Sequence, residues 1–192
     1  MSEPGFSQRY LDDLRDVLGR IDSTAVGRAI VCLREARDAG RTIFSCGNGG
    51  SAAIASQMVV DIAKGGSYQK KSRPFRMIGL SDNIGLITAY ANDVSFEAVF
   101  VEQLRNWANE GDVLIAISGS GNSPNVLRAV EYANSVGCTT IGLTTGRGGR
   151  LKDLATLPLL VSSDHMGRLE DSFFVMTHIL CYAFIEDQDA VL

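Results

Sequence analysis

The sequence predicts a doubly wound α/β domain, a five-stranded parallel sheet covered by helices on both faces and preceded by a pair of helices. Three observations carry this prediction. Five short runs are almost continuously apolar, as strands buried on both faces must be. Helix-periodic segments lie between most of them, and strand–helix–strand alternation implies right-handed crossovers within one parallel layer. The chain of 192 residues, 45% hydrophobic and 21% charged, is long enough to bury a core without metal or disulfide staples.

Taken in order, Phe6, Tyr10, Leu11, Leu14, Val17, Leu18 and Ile21 recur at helical spacing with charged residues between them. Ser23 or Thr24 is placed to cap a second helix that carries Val26, Ile30, Leu33 and Ala36 and ends at Gly40. Strands are expected over 42–46 (TIFSC), 75–80 (FRMIGL), 113–118 (VLIAIS), 139–144 (TTIGLT) and 157–161 (LPLLV). Helices are expected over 51–64, over 83–90 with 97–108, over 123–136 and over 168–186. The chain divides into 1–40, helices for packing and for an oligomer interface, and 41–192, the sheet domain. An apolar stripe on each leading helix serves both purposes.

Composition removes several classes of function. With 18 basic and 22 acidic side chains the formal net charge is −4, which gives no support to direct nucleic-acid binding. No basic segment followed by an apolar one opens the chain, and no apolar run approaches the roughly 18 residues of a membrane span. A cytoplasmic protein without a membrane partner is expected. The four cysteines, Cys32, Cys46, Cys138 and Cys181, include no Cys-x-x-Cys pair. They read as reduced, mostly buried thiols rather than a zinc knuckle or redox pair.

Two strands end in loops of the same kind. The first reads Cys46-Gly47-Asn48-Gly49-Gly50-Ser51, the second Ser118-Gly119-Ser120-Gly121-Asn122-Ser123-Pro124, and each leads into a helix. Glycines let the backbone approach a ligand closely, and the following helix turns free N–H groups and its positive end toward an anion. An ordinary strand-to-helix turn needs one capping hydroxyl; the second loop supplies Ser118, Ser120 and Ser123. Pro124 suits the first helical position. No lysine follows the glycines, so neither loop is a P-loop. Neither has the glycine spacing and distant acid of a dinucleotide site. The expected ligand is a small phosphorylated molecule without a base, and no organic cofactor is called for.

GNGGSAA with its helix, AND at 91–93, GDVLIAISGSGNSPNVLRAV at 111–130 and the final RLEDSFFVMTHILCYAFIE together resemble the sugar isomerase (SIS) domain family. Within it they look like the phosphoheptose isomerase branch, which converts sedoheptulose 7-phosphate to glycero-manno-heptose 7-phosphate. The resemblance covers nearly the whole chain and implies a flavodoxin-like sheet. It also implies a phosphate held by Ser118, Ser120 and Ser123, with Gly119 where threonine is common. Asn48, Gly49, Gly50 and Ser51 would lie near the sugar, and Asp93 near its hydroxyls. A homotetramer with active sites between subunits is implied as well.

The chain departs from the family pattern at its catalytic positions. Where the family carries His and Glu on the helix after GNGGS, this chain has Gln57 and Asp61; where it carries Gln and His on the last helix, this chain has Glu170 and His178. Only His178 is retained. Gln57 and Asp61 share one helix face, and Glu170 and His178 another. Two carboxylates, an amide and an imidazole can bind a divalent metal, and the harder donor set favours Mg²⁺ or Mn²⁺ over Zn²⁺. The plainer reading of His178, among Val175, Met176, Ile179 and Leu180, is a satisfied histidine on an apolar helix, and Gln57, Asp61 and Glu170 equally suit a solvated face.

Moving a proton between C1 and C2 of a sugar requires a base and an acid. Asp61 and Glu170 are the candidate bases. His178 is the candidate acid. The alternative reading is a non-catalytic SIS protein, either an adaptor binding the bacterial replication initiator or a phosphosugar sensor. Loss of the usual His and Glu favours the alternative; the intact serine loop and His178 argue against a complete loss of ligand binding.

Overall fold

Side-chain alternation along β1 (Thr42–Cys46) and β3 (Val113–Ser118) divides the core into two layers. Ile43, Ile115 and Ile117 point into one, and Phe44, Leu114 and Ala116 into the other, as the two-residue period of a strand requires. A computed structural model describes residues 5–147 and 149–187. The ends of the expected 1–40 and 41–192 divisions, residues 1–4 and 188–192, lie outside the described residues.

With β2 (Arg76–Gly79), β4 (Thr139–Thr145) and β5 (Leu157–Val161), the sheet has five parallel strands in the order β2-β1-β3-β4-β5. Successive strands run outward in opposite directions from the β1/β3 boundary. That boundary is the topological switch point where such sheets bind ligands. Asp112 fastens it from below: it is 3% exposed, and its carboxylate accepts from Thr42 N at 2.8 Å and Asn109 N at 2.9 Å.

One face of the sheet is covered by α2 (Ser23–Asp38), α3 (Gly50–Val59) and α8 (Met166–Ile185), with α1 (Phe6–Leu18) packed against α8. The other carries α5 (Val101–Trp107), α6 (Pro124–Ser135) and the short α7 (Leu151–Leu154). Between β2 and α5 lie α4 (Ile84–Asp93), none of whose residues is fully buried, and a 3₁₀ turn at Phe96–Ala98.

Several boundaries differ from the sequence expectation. The cap of α2 is Asp22, one residue before Ser23, because its carboxylate reaches Thr24 N at 2.9 Å and Ala25 N at 3.1 Å. The expected helix over 97–108 is interrupted after its 3₁₀ turn and resumes as α5. The helix expected over 51–64 leaves α geometry at Val60 and continues as a π-helical turn, Val60–Gly65, in which Gly66 N donates to Asp61 O at 2.9 Å. Gly65 and Gly66 close this turn against Ile185 and Phe184 of α8, where a Cβ on Gly65 would lie 2.8 Å from Ile185 Cδ1. Finally, α8 begins at Met166 rather than Arg168, because the His165 ring accepts from Arg168 N at 3.4 Å.

Three of the four free thiols, Cys46, Cys138 and Cys181, are buried, and Cys32 is half-buried. Burial pushes Cys46 and Cys181 up to about 12, with the Asp61 carboxylate adding to the effect at Cys181.

Candidate functional site

Both glycine-rich loops leave the carboxyl ends of adjacent strands at the switch point, the first from β1 into α3 and the second from β3 into α6. The first is tight enough to demand its glycines. A Cβ on Gly47 would lie 2.7 Å from the Ser51 carbonyl, and Gly49 has φ +55°, a backbone L-residues seldom adopt. Ser81 steadies the loop by donating to Gly47 O at 3.0 Å and accepting from Gly47 N at 3.3 Å. Ser51 is buried in the first turn of α3.

In the second loop the three hydroxyls stand at different depths. Ser118 is 3% exposed and donates to Ser123 Oγ at 3.1 Å. Ser120 faces solvent and accepts from Asn122 N at 3.2 Å. Ser123 occupies the cap position of α6 without accepting a bond from the helix backbone, so its oxygen is not consumed by capping. Gly119 is hemmed in by α8: a Cβ there would lie 3.1 Å from Met166 Sδ. The threonine common in the family would crowd that sulfur.

Sequence reasoning passed over Asn125. In the first turn of α6 it exchanges two hydrogen bonds with Asn48, each 2.9 Å, and so ties one loop to the other. The signal that could have found it was a polar amide directly after Pro124 in a helix whose inward face is otherwise apolar.

Three members of the altered quartet meet. Gln57 Nε2 donates to Asp61 Oδ1 at 3.1 Å, and His178 Nε2 lies 3.7 Å from Asp61 Oδ2. That second oxygen is buried without a hydrogen-bond partner. The Asp61 side chain is 15% exposed and the His178 side chain 49%, so the imidazole is open on one side. His178 is therefore not a satisfied core histidine. It stands at the surface of α8 against a buried carboxylate.

Glu170 lies elsewhere on the same pair of helices. Its carboxylate packs on Gly50, where an added Cβ would be 2.5 Å from Oε1. That places it at the first turn of α3, beside the first loop. Eight residues separate it from His178 on α8, about 12 Å of helix, and its carboxylate lies against Gly50 while the His178 imidazole lies against Asp61. Among the described residues no three His, Cys, Asp or Glu side chains are grouped to hold a metal ion. Asp93, at the end of α4, is exposed and accepts from Asn92 Nδ2 at 2.8 Å; among the described residues no hydrogen bond joins it to either loop.

Comparison with known proteins agrees with this geometry. A family model described as SIS domain matches residues 9–145. The phosphoheptose isomerase of a Nitratiruptor species is 43% identical over 153 residues, 80% of either chain. A phosphoheptose isomerase structure from Francisella tularensis superposes with a TM-score of 0.88 at 26% identity, covering 97% of this chain and 100% of that one. One from Neisseria gonorrhoeae gives 0.79 at 28% identity, covering 94% and 93%. The matched family segment contains both glycine-rich loops, and with them most of the sheet: this chain belongs to the SIS domain family.

Proposed function

We infer that the chain is an aldose–ketose isomerase that interconverts sedoheptulose 7-phosphate and glycero-manno-heptose 7-phosphate. The curated relatives named phosphoheptose isomerase support this reading. The observation that carries the chemistry is the buried, unbonded Asp61 Oδ2 facing His178 Nε2 at 3.7 Å. A carboxylate oxygen without a donor can accept a proton, and an imidazole can give or take one through its ring nitrogens.

The substrate phosphate binds at Ser118, Ser120 and Ser123 on the α6 N-terminus, where hydroxyls and the helix's positive end both favour an anion. Asn48, Gly49, Gly50 and Ser51 line the sugar, and Asp93 addresses its hydroxyls. A carboxylate takes the proton from C1 of the ketose, giving an enediol, and returns it at C2 to form the aldose. His178 gives a proton to the carbonyl oxygen at C2 and recovers one from the hydroxyl at C1, so the protons balance. Asp61 and Glu170 are the two candidate bases. Asp61 has the imidazole beside it; Glu170 has the loop.

Zn²⁺, Mg²⁺ or Mn²⁺ at the quartet meets a poor fit within one chain. Asp61 and His178 are two donors, where a catalytic zinc takes three from protein. The Gln57 amide nitrogen, not its oxygen, is turned to Asp61, and Glu170 is turned to Gly50. The proton transfers are therefore assigned to side chains alone.

We place the enzyme in the cytoplasm as a homotetramer built through residues 1–40. Exposed Phe6, Leu11 and Val31 on the leading helices support subunit contacts, and among the described residues no helix is long and apolar enough to cross a membrane. Light scattering at micromolar concentration tests the assembly; a monomer removes it. The activity is tested by NMR of sedoheptulose 7-phosphate in deuterated water. Exchange of the C1 or C2 hydrogen is expected even when net conversion is small. Its absence, with phosphosugar binding intact, favours the sensor reading.

A further inference from the structure

Asn125 does more than its position in the helix asks of it. It is 1% exposed at the start of α6, a helix whose Val126, Leu127 and Ala129 belong to the apolar core. A buried amide costs stability unless its donors and acceptor are matched. Closing the first turn of α6 would require only its Oδ1, which accepts from Val126 N at 3.0 Å. That role leaves the NH₂ group and both bonds to Asn48 unexplained, and the isomerisation described above does not use Asn125.

The reciprocal pair has three physical consequences. It fixes which end of the Asn48 amide is oxygen and which nitrogen, since flipping one partner alone sets donor against donor. It uses one N–H of each amide and leaves the other free, so Asn125 determines where the free N–H of Asn48 is aimed. It also links the loop after β1 to the helix after β3, the sugar end of the site to its phosphate end. Small misplacements between such ends cost large factors in binding and rate.

We propose that Asn125 is a positioning residue that acts through Asn48, holding the first loop in register with the serine loop, so that it is needed to bind a sugar phosphate but not to bind bare phosphate. This rests on reading the two loops as a sugar-phosphate site and is independent of turnover.

The test is calorimetry of inorganic phosphate and of sedoheptulose 7-phosphate binding to the full-length chain. It compares wild type, Asn125→Ala, Asn125→Ser, Asn48→Ala and the Asn48→Ala/Asn125→Ala double variant. Asn125→Ser keeps a short oxygen for Val126 N and carries the test if the alanine variant does not fold. Each Asn125 variant is expected to weaken heptose phosphate about tenfold, the loss of one to two hydrogen bonds. Inorganic phosphate should change by less than about threefold, and the double variant should match Asn48→Ala alone, because residues acting in series are not additive. Equal losses for both ligands, additive losses in the double variant, or wild-type behaviour of Asn125→Ser would each overturn the proposal. A wild-type protein that binds heptose phosphate without turning it over removes the isomerase reading and leaves this one standing; one that binds phosphate alone removes both.

Discussion

The serine loop and the polar side chains shared by α3 and α8 are held in different ways. Ser118, Ser120 and Ser123 come from one continuous turn between β3 and α6, fixed by the sheet on one side and the helix on the other. Gln57 and Asp61 come from the helical segment after the first loop and Glu170 and His178 from α8, so the packing of the two helices sets the distances between the pairs. A loop of this kind brings its donors together by local geometry. The helical set has no such local fixing. Its members fall into a cluster of three and a separate carboxylate beside Gly50.

The largest expected effect tests the loop. Replacing Ser118, Ser120 and Ser123 together with alanine should weaken sugar phosphate binding by several kcal/mol, at roughly 1.5–3 kcal/mol for each charge-assisted bond. Inorganic phosphate should be lost in parallel. Unchanged affinity in calorimetry would take the phosphate away from this loop.

Next comes the helical set. His178→Ala should lower kcat by about 10²–10⁴, the usual contribution of one acid–base group, with phosphate affinity retained. Full activity would take His178 out of the chemistry and leave a binding protein. Asp61→Asn and Glu170→Gln then separate the two carboxylates: the true base loses kcat to the same extent as His178→Ala, and the other loses about tenfold or less.

A smaller effect is expected from Gly50→Ala. The added methyl must displace the Glu170 carboxylate, so if Glu170 is the base, kcat should fall about tenfold with little change in phosphate affinity. An unaffected kcat would assign the base to Asp61. The smallest effect is expected from chelation: prolonged dialysis against a strong chelator should leave activity within about twofold, since a catalytic zinc takes three protein donors and this cluster offers two. Loss of activity restored by a divalent cation would show that the quartet is completed in a way one chain does not display.

Much of this was legible in the sequence, and the reasons differ by region. The strand over 113–118 matches the structure because a fully buried parallel strand is marked by an uninterrupted apolar run with polar boundaries; that over 157–161 matches as well, although it is the half-exposed edge of the sheet. The serine loop was legible for a related reason, since all its parts are contiguous. That Glu170 sits against Gly50 while His178 meets Asp61 could not be read from residue types; it depends on where α8 lies along α3. The π-helical turn at Asp61 and the Asn48–Asn125 pair were likewise hidden. Neither the packing of Gly65 under Ile185 nor a contact between two separate loops leaves a periodic trace in the chain.

The buried thiols have a practical consequence. Burial pushes the Cys46 and Cys181 thiols up to about 12, which disfavours the reactive thiolate, and neither sulfur is accessible in the folded protein. Alkylation of these two sites must wait for the chain to open. Cys46 ends β1 immediately before the first loop, and Cys181 lies one turn beyond His178. Their modification rates therefore act as two separate clocks, one timing the opening of the sheet's centre and the other the detachment of α8.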